Sequence, residues 1–358
     1  MFKKQNFKFI YLIWAAILSL ECECKNNFKS PYIFKEHKDE VSSLVAFDDH
    51  TRLVSGSYDK TIRIWDTTDN NLIENKITIE VNETVYSIVI LNDGIRLVAG
   101  LKGKVNVWNV VNRELVITME IPSSLKNFRF HSLAVLTDGI IAGGSFGTIS
   151  IWNVNNGTLV KILNNAHTSY IKSLLYLKEI NSLASTSNDG KIVIWNVFNE
   201  TIDPKILNGR TQIKSMVGLY NGTLISSSEQ IIFWNIWSNQ EIKRLTCPNN
   251  VNDFNSLAVL SENRLASSSL SQIIIWNIHN DSVVNEIENE AIIVSMTALS
   301  NNRLATGSAD GTIKIWSLNK IESIIESNQI DLKTKPFVDN DKIHSYQTTE
   351  IDAETNKG

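Results

Sequence analysis

The amino-acid sequence predicts an all-β repeat fold, and two regular columns of residues support that prediction. Tryptophan recurs at intervals of 39 to 44 residues, at Trp65, Trp108, Trp152, Trp195, Trp234, Trp276 and Trp316. A second column consists of serines that each follow an apolar residue by two positions, namely Ser43, Ser87, Ser132, Ser173, Ser215, Ser256 and Ser295. Such a period is typical of a chain built from seven similar units.

Runs rich in β-branched residues lead up to the tryptophans, for example Thr61 to Trp65, Lys191 to Trp195 and Thr312 to Trp316. These runs predict buried strands, and the Gly, Asn, Asp and Ser residues between them predict tight turns, as at Asp189-Gly190. One unit therefore reads as four antiparallel strands, a sheet too small to bury both of its faces alone. Seven such sheets packed around an axis bury one another, so the predicted fold is a seven-bladed β-propeller.

Length and composition fit this architecture and exclude several other classes of protein. The chain has 358 residues, more than the roughly 250–300 at which a single compact core stops growing. It is 43% hydrophobic and 20% charged, which excludes a wholly disordered protein. Three cysteines exclude a disulfide scaffold, and a net charge of −4 is too small and of the wrong sign for a general nucleic-acid coat.

The first residues read as a targeting segment. Three lysines precede an uncharged apolar stretch from Phe9 to Leu20, which matches the core of a secretory signal peptide and is too short to span a bilayer. A signal peptide or signal anchor is therefore predicted over residues 1–24, and a buried or uncleaved hydrophobic start is the alternative. Cleavage before Lys25 would leave Cys247 as the only cysteine of the mature chain.

The repeats are predicted to occupy residues 31–326, followed by a polar and disordered tail over residues 327–358. Two apolar segments compete for the outer strand of the last blade. One runs from Tyr32 to Lys35 before the first repeat, and the other from Ile321 to Ile325 after the last tryptophan.

The segment from Leu53 to Asp66 reads LVSGSYDKTIRIWD and resembles the consensus of the WD-repeat family almost letter for letter. The resemblance extends over residues 31–326. It implies that the N-terminal strand joins the last blade and closes the ring. It also implies a non-enzymatic scaffold on which other proteins dock.

His37, Ser55 and Asp59 invite a Ser-His-Asp hydrolase interpretation, and the same spacing recurs in the fourth repeat. The family resemblance implies a structural tetrad instead, in which the aspartate orients the histidine and the histidine leads to the serine and the indole. The residues predicted to form these tetrads are His37, Ser55, Asp59 and Trp65, and His167, Ser185, Asp189 and Trp195.

The other repeats depart from the tetrad. Repeat seven keeps Thr306, Asp310 and Trp316 but has Glu288 near the position of the histidine. The remaining four repeats lack both the histidine and the aspartate. Their blades are therefore expected to be held mainly by apolar packing.

No other motif predicts chemistry. The stretch from Gly143 to Gly147 matches the G-x-S-x-G motif of hydrolases, but that motif is meaningful only between a strand and a helix, and here it lies in a predicted turn between strands. The sequence has no phosphate-binding loop, no H-E-x-x-H and no paired C-x-x-C, and its six histidines lie far apart. The prediction is a protein without catalytic residues, cofactor site or metal site, and not an enzyme.

The resemblance implies that partners dock on the narrow face of the ring, around the central channel. Alignment with the contact positions of the family gives as candidates Tyr58, Tyr86, Arg129, His131, Tyr170, Lys172, Lys214, Ile292 and Val294. Cations and aromatics on one side with apolar residues on the other favour an acidic or amphipathic peptide, and the alternative is a solvated face with contacts elsewhere. So few cations are not enough to bind the phosphate backbone of a nucleic acid.

The leading functional hypothesis is a monomeric propeller that acts within a complex as a scaffold for a protein or peptide. The N-terminal segment predicts the secretory pathway or secretion, with membrane contact only if it stays uncleaved, and the cytoplasm if it is not a working signal. The alternative is a lumenal or secreted propeller that binds a small ligand or glycan in its central channel. Five glycosylation sequons are usable only in the secretory pathway, at Asn82, Asn156, Asn199, Asn221 and Asn280.

Overall fold

The structure is a computed structural model that describes residues 30–318 except residues 50, 69–76, 138, 166, 200–202, 210, 220, 247–252 and 262. The predicted targeting segment, the tail over residues 327–358 and Cys247 lie outside the described residues. The described part contains 28 β-strands and two short 3-10 helices, Ser123–Leu125 and Lys178–Ile180. None of its helices is long and apolar enough to cross a membrane.

Within the described residues the strands form seven sheets of four antiparallel strands, which confirms the predicted seven-bladed β-propeller. Blade 1 consists of β2 (Ser43–Ala46), β3 (Arg52–Gly56), β4 (Thr61–Asp66) and β5 (Ile77–Glu80). Blade 2 consists of β6 (Ser87–Ile90), β7 (Arg96–Gly100), β8 (Lys104–Asn109) and β9 (Leu115–Glu120). Blade 3 consists of β10 (Ser132–Thr137), β11 (Ile140–Gly144), β12 (Ile149–Asn153) and β13 (Leu159–Leu163). Blade 4 consists of β14 (Ile171–Leu177), β15 (Ser182–Ser187), β16 (Lys191–Trp195) and β17 (Lys205–Asn208).

Blade 5 consists of β18 (Ser215–Leu219), β19 (Thr223–Ser227), β20 (Ile231–Asn235) and β21 (Gln240–Leu245). Blade 6 consists of β22 (Phe254–Ser261), β23 (Arg264–Ser269), β24 (Gln272–Asn277) and β25 (Ser282–Glu288). Blade 7 consists of β26 (Ile293–Leu299), β27 (Arg303–Ser308) and β28 (Ile313–Ser317), completed by β1 (Tyr32–Phe34). In blades 1 to 6 the strands follow one another in chain order from the inner to the outer position.

The N-terminal strand closes the ring. β1 pairs antiparallel with β28, so that Tyr32 faces Ile315 and Phe34 faces Ile313, and the order of strands in blade 7 is β1-β28-β27-β26. The outer strand of the last blade therefore comes from the N-terminal side, as the family resemblance implied. The competing segment, residues 321–325, lies outside the described residues.

The serine column links neighbouring blades. Ser87 Oγ donates to the carbonyl of Phe130 at 2.8 Å, and Ser295 Oγ donates to the carbonyl of Val41 at 2.9 Å. Backbone N–H groups of the next blade donate to two further serines, in the pairs Ile88–Ser43 and Leu257–Ser215. A hydrogen bond of this kind contributes about 1 kcal/mol net. The column that reveals the repeat in the sequence thus also joins one repeat to the next.

Apolar side chains between adjacent blades form the core. Where blades 7 and 1 meet, Val41, Leu53 and Trp65 belong to one buried cluster with Ile313 and Ile315. Similar clusters join other pairs of neighbouring blades. Burial of apolar surface stabilises a fold by roughly 25 cal/mol per Å². These contacts between blades therefore hold the ring together.

The antiparallel order places the turns of each blade at two ends of the ring. The turns between second and third strands, and the connections into each next blade, lie at one end, which we call the narrow face. The other turns lie at the opposite end, the wide face. Tyr58 and Phe146 therefore lie on the narrow face, whereas Trp237, in the turn between β20 and β21, lies on the wide face.

Candidate functional site

The first tetrad lies in blade 1, below the narrow face. Asp59 lies in the turn between β3 and β4, and its Oδ2 is 2.8 Å from Nδ1 of His37. Nε2 of the same ring is 2.7 Å from Ser55 Oγ, and the indole Nε1 of Trp65 donates to that oxygen at 2.8 Å. Because the carboxylate of Asp59 only accepts, Nδ1 of His37 carries the proton and Nε2 accepts the hydroxyl proton of Ser55.

Burial and hydrogen bonding set the charges of this tetrad. Burial lowers the pKa of His37 below its ordinary value, and the hydrogen bond to Asp59, which acts in the other direction, does not offset it. Burial acts to raise the pKa of Asp59, but hydrogen bonds from Thr61 and His37 outweigh burial and lower that pKa to about 2. At neutral pH the tetrad therefore holds a neutral imidazole beside a carboxylate.

A second tetrad of the same form lies in blade 4. Nδ1 of His167 is 3.0 Å from Asp189 Oδ2, and Nε2 is 2.8 Å from Ser185 Oγ. Trp195 Nε1 donates to the same serine oxygen at 3.0 Å. In both tetrads the serine is 0% exposed. A hydrolase nucleophile has to reach its substrate, so these groups satisfy one another's hydrogen bonds inside the fold and do not form a catalytic triad.

In blade 7 the position of the histidine is taken by Asn289, and Glu288, the residue expected near that position, directly precedes it in the sequence. Asn289 is 7% exposed. Its Nδ2 donates to Ser308 Oγ at 3.1 Å and to the carbonyl of Ala291 at 2.8 Å. Glu288 ends β25 and is exposed.

A shorter hairpin explains the difference of one residue. Counting back 18 residues from Thr306, the spacing of the intact tetrads, gives the exposed glutamate. Counting back four residues from Ile293, the first residue of β26, gives Asn289, and the same count from Val41 gives His37. The inner strand is therefore the better reference for aligning the repeats, because the hairpin that follows it varies in length.

Blades 5 and 6 keep only the contact between serine and tryptophan. Trp234 Nε1 donates to Ser226 Oγ at 2.8 Å, and Trp276 Nε1 donates to Ser267 Oγ at 2.7 Å. Neither pair is evident from the sequence as a tetrad, because both repeats lack the histidine and the aspartate. Each of these two blades therefore retains one buried hydrogen bond of the tetrad, between its second and third strands.

Blades 2 and 3 lack even this contact. In the register of the second and third strands, the serine of blade 1 corresponds to Ala99 and Gly143. The indole N–H groups of Trp108 and Trp152 are consequently buried without a hydrogen-bond partner. Only apolar packing holds these two indoles in place.

The G-x-S-x-G match has no catalytic setting. Ser145 lies between β11 and β12, is 1% exposed, and its Oγ is 2.8 Å from Thr148 Oγ1. A nucleophile elbow joins a strand to a helix, and this turn joins two strands. Across the described ranges, no three His, Cys, Asp or Glu side chains lie close enough together to hold a metal ion.

Six aromatic rings form a continuous arc on the narrow face of blades 1 to 4. In order of contact, the members of this aromatic arc are Tyr58, Tyr86, His131, Tyr170, Phe146 and Phe128. Successive ring centroids lie 5.1 to 5.6 Å apart. Four of the five contacts are edge to face, and the last pair is stacked, which are the arrangements that aromatic rings favour.

The aromatic arc is partly open to solvent. Phe146 is 39% exposed, and the other five rings are half-buried. Burial, assisted by the charges of Lys172 and Arg129, lowers the pKa of His131 to about 4, so this ring is neutral at pH 7. Burial raises the pKa of Tyr58 to about 12. The arc is therefore an uncharged strip with basic side chains beside it.

The three predicted cations differ in their surroundings. Arg129 is exposed, and the carbon of its guanidinium lies 5.4 Å from the centroid of the Tyr86 ring. Lys172 is half-buried, and burial followed by the charge of Lys214 lowers its pKa. Lys214 forms an ion pair with Asp253 at 2.5 Å. Arg129 is thus the cation most available to a partner, and Lys214 already has an anionic neighbour.

The two apolar candidates lie in blade 7, apart from the aromatic arc. Ile292 is 48% exposed, and Val294 is half-buried. Leu270 of blade 6 is 60% exposed and adjoins them, since its carbonyl accepts the N–H of Ile293 at 2.8 Å. The structure therefore joins Tyr58, Tyr86, His131 and Tyr170 into one surface and leaves Ile292 and Val294 in a separate apolar patch.

Phe128 and Phe146 were missed by the sequence reasoning. Both lie in connections between strands, where no periodic pattern marks a residue as part of a surface. A signal was nevertheless present, because Phe146-Gly147 and Lys102-Gly103 occupy the same turn in consecutive repeats. Alignment of these turns would have placed an aromatic residue on the narrow face of blade 3.

Fold and repeats together define the class of protein. The family model described as WD domain, G-beta repeat matches residues 28–66, 157–196 and 289–317. These segments include the three inner strands of blades 1, 4 and 7, the blades whose turns keep Asp59, Asp189 and Asp310. The chain is a seven-bladed β-propeller, and three of its seven repeats match the WD-repeat family.

Similar proteins agree with this class. The solved WD40 beta propeller domain of Doa1 is similar in fold, with a TM-score of 0.68 and 20% identity, over 82% of this chain and 98% of that chain. Cilia- and flagella-associated protein 57 A of Tetrahymena thermophila is 23% identical over 60% of this chain. The Target of rapamycin complex subunit wat1 of Schizosaccharomyces pombe is 26% identical over 46%, and Protein FIZZY-RELATED 1 of Arabidopsis thaliana is 23% identical over 69%. The matches span only 16%, 52% and 54% of these three relatives.

Proposed function

We propose that this protein is a non-enzymatic scaffold that docks a protein or peptide on the narrow face of its propeller. One observation carries the proposal, namely the partly exposed aromatic arc beside the exposed guanidinium of Arg129. Aromatic side chains and arginine are the groups that most often dominate binding energy at protein interfaces. One relative is named as a subunit of a complex, which supports assembly with other proteins.

Partner capture by variants of the narrow face tests this function. Tagged full-length protein is purified from eukaryotic cells, and the proteins that accompany it are quantified by mass spectrometry. We expect Tyr170→Glu, and separately Lys172→Glu combined with Lys214→Glu, to lower partner recovery at least about tenfold, the effect of losing about 1.4 kcal/mol of binding energy. The matched control is Trp237→Glu on the wide face, where the indole is 57% exposed.

The control should retain the partners that the narrow-face variants lose. Equal recovery with all of these variants would place the docking surface elsewhere and contradict the proposal. The circular dichroism spectrum and the unfolding temperature of each variant show whether the propeller is intact.

We also propose that the chain enters the secretory pathway through residues 1–24. The support is the sequence of that segment, three lysines followed by an uncharged apolar stretch. Four exposed sequon asparagines lie in turns of the wide face, at Asn156, Asn199, Asn221 and Asn280, whereas Asn82 lies in a connection on the narrow face. Glycans on these four residues would cover the wide face and leave most of the narrow face to partners.

The mature N-terminus and the glycosidase sensitivity of the chain, expressed in a eukaryotic cell, test this localisation. A start at Lys25 together with a glycan-dependent change in mass is the expected result. An intact Met1 with no such change would contradict the proposal and favour a cytoplasmic scaffold.

A further inference from the structure

Two neighbouring turns of the narrow face have the same backbone form and different chemistry. Lys102-Gly103 joins β7 to β8, and Phe146-Gly147 joins β11 to β12. The glycine has a positive φ in both turns, 71° at Gly103 and 66° at Gly147, a conformation that side chains disfavour. One turn therefore presents a lysine, and its equivalent in the next blade presents a phenylalanine.

Each turn also pairs with the connection that enters the following blade. Isolated β-bridges join Lys102 to Arg129 and Phe146 to Tyr170. The first bridge places two cationic residues side by side, and the second places two aromatic residues side by side. Phe128, next to Arg129 in sequence, stacks on Phe146 with centroids 5.6 Å apart and so connects the two pairs.

Backbone contacts hold both pairs in position. The N–H of Gly103 donates to the carbonyl of Phe128 at 2.8 Å, and the N–H of Gly147 donates to the carbonyl of Ser169 at 3.0 Å. A Cβ atom at Gly147 would lie 2.7 Å from the carbonyl oxygen of His167, so a side chain does not fit there. Because these turns are fixed before binding, a partner loses little affinity to ordering them.

The basic pair is free to attract an anion. In the described part of the chain, neither Lys102 nor Arg129 forms an ion pair with a carboxylate. Two carboxylates of the same region, those of Glu83 and Glu120, are each paired with another lysine. Two adjacent cations without a counter-ion favour a carboxylate of a partner, and arginine can bind it through two parallel hydrogen bonds.

One other sector of the narrow face contains acidic side chains. Between blades 4 and 5 lies an open depression lined by the carboxylates of Asp189, Glu229 and Asp253. Asp253 in this depression is paired with Lys214, whereas Lys102 and Arg129 have no such carboxylate partner among the described residues, so an acidic partner is attracted most strongly to blades 2 and 3. The charge distribution thus selects both the sign of the partner and the sector of the ring that it contacts.

We propose that the turns Lys102-Gly103 and Phe146-Gly147 form a docking site for an acidic protein segment that carries an aromatic residue close to its carboxylates. The carboxylates pair with Lys102 and Arg129, and the aromatic side chain packs on the exposed ring of Phe146. The inference rests on the proposed scaffold function, which it deepens by naming the chemistry of the partner and its place on the narrow face.

A random peptide library displayed on phage, selected on the full-length protein, tests this chemistry. We expect the enriched peptides to combine Asp or Glu with a nearby Phe, Tyr or Trp. Synthetic versions are then measured by fluorescence anisotropy. Replacing their acids by amides, or their aromatic residue by alanine, should weaken binding at least about tenfold, and higher salt should weaken it further because exposed charges are screened.

Variants of the protein locate the site. Lys102→Glu combined with Arg129→Glu, and separately Phe146→Ser, should each weaken peptide binding at least about tenfold. The matched controls are Lys205→Glu on the exposed outer strand β17 and Phe198→Ser on the wide face, where that ring is 48% exposed. Both controls should bind the peptides as the unmodified protein does.

The outcomes separate this inference from the scaffold function. Enriched peptides without acidic residues, or peptides that bind the Lys102 and Arg129 variant unchanged, overturn the inference, as does the absence of any enriched peptide. If partner capture is still lost with Tyr170→Glu, the scaffold function stands although the acidic docking site does not. If Tyr170→Glu and the combined Lys172→Glu and Lys214→Glu variant also leave capture intact, both fail.

Discussion

Phe34 contacts both the last blade and the first blade of the ring. Its backbone pairs with Ile313 in blade 7, and its ring lies 4.8 Å, centroid to centroid, from that of Trp65 in blade 1. The strand that contains it has only three residues, so few backbone hydrogen bonds hold it in place. Side-chain packing on the first blade therefore supplies much of the closure.

Replacing this side chain should weaken the closure. We expect Phe34→Ala to lower the free energy of unfolding by about 3 kcal/mol, the lower end of the range for buried phenylalanines, because the ring is only half-buried. The neighbouring Ile33→Ala is the control, since Ile33 is 41% exposed and should cost little. Urea denaturation of the two variants measures the difference, and equal effects would show that the ring of Phe34 is not what closes the propeller.

His131 should make the protein less stable in acid. Its pKa is about 4 in the folded protein and about 6.5 in the unfolded chain. The unfolded chain therefore binds the proton more tightly, and stability falls as the pH drops from about 6.5 towards 4. His131→Phe keeps an aromatic ring and removes the titration, so we expect it to lose less stability over this window. A nuclear magnetic resonance titration midpoint near the ordinary value for histidine would contradict the prediction.

The unpartnered indole of blade 2 offers a gain in stability. Ala99→Ser puts a hydroxyl where blade 1 has Ser55, so the buried N–H of Trp108 acquires an acceptor. We expect the free energy of unfolding to rise by about 1 kcal/mol, the net value of one hydrogen bond.

The equivalent change in blade 3 should have the opposite effect. A Cβ atom at Gly143 would lie 2.9 Å from Cζ3 of Trp152 and 3.0 Å from Cδ1 of Phe130. We expect Gly143→Ser to cost about 1–3 kcal/mol through overpacking. Thermal and urea unfolding of both serine variants tests the pair, and a gain at Gly143 would show that the indole of Trp152 has room to move.

Blade 7 distinguishes two adjacent residues. Asn289 is buried and donates two hydrogen bonds, whereas Glu288 is exposed. We expect Asn289→Ala to lower the free energy of unfolding by about 1–2 kcal/mol, because its removal leaves the hydroxyl of Ser308 and the carbonyl of Ala291 without this partner. Glu288→Ala should change it by less than about 0.5 kcal/mol. The reverse order of effects would show that Asn289 does not take the place of the histidine in blade 7.

The fold was predictable because the residues that pack each blade recur in the sequence at regular intervals. Trp65 and its counterparts lie at the end of each third strand, and Ser87 and its counterparts lie where one blade meets the next. Both columns follow from geometry that every blade shares. The N-terminal closing strand was implied by the family resemblance, since sequence alone left two segments in competition.

The surface was less predictable, because it depends on contacts between residues far apart in the chain. Tyr86 touches Tyr58 before it and His131 after it, across three blades, and no local pattern reports such neighbours. The ion pair between Lys214 and Asp253 likewise joins adjacent blades and was not foreseen. Turns of variable length add a second difficulty, because they shift the count that aligns one repeat with another, as at Asn289.

The pairing of β1 with β28 also determines when the ring can close during synthesis of the chain. Tyr32 is synthesised before the first repeat, whereas its partner Ile315 lies in the third strand of the seventh. A contact between such distant parts of the chain forms late, because the whole intervening length has to be ordered first. During synthesis β1 is unpaired until β28 has been made, and a nascent chain with only six blades cannot close the ring. Ring closure therefore has to follow the synthesis of the seventh blade.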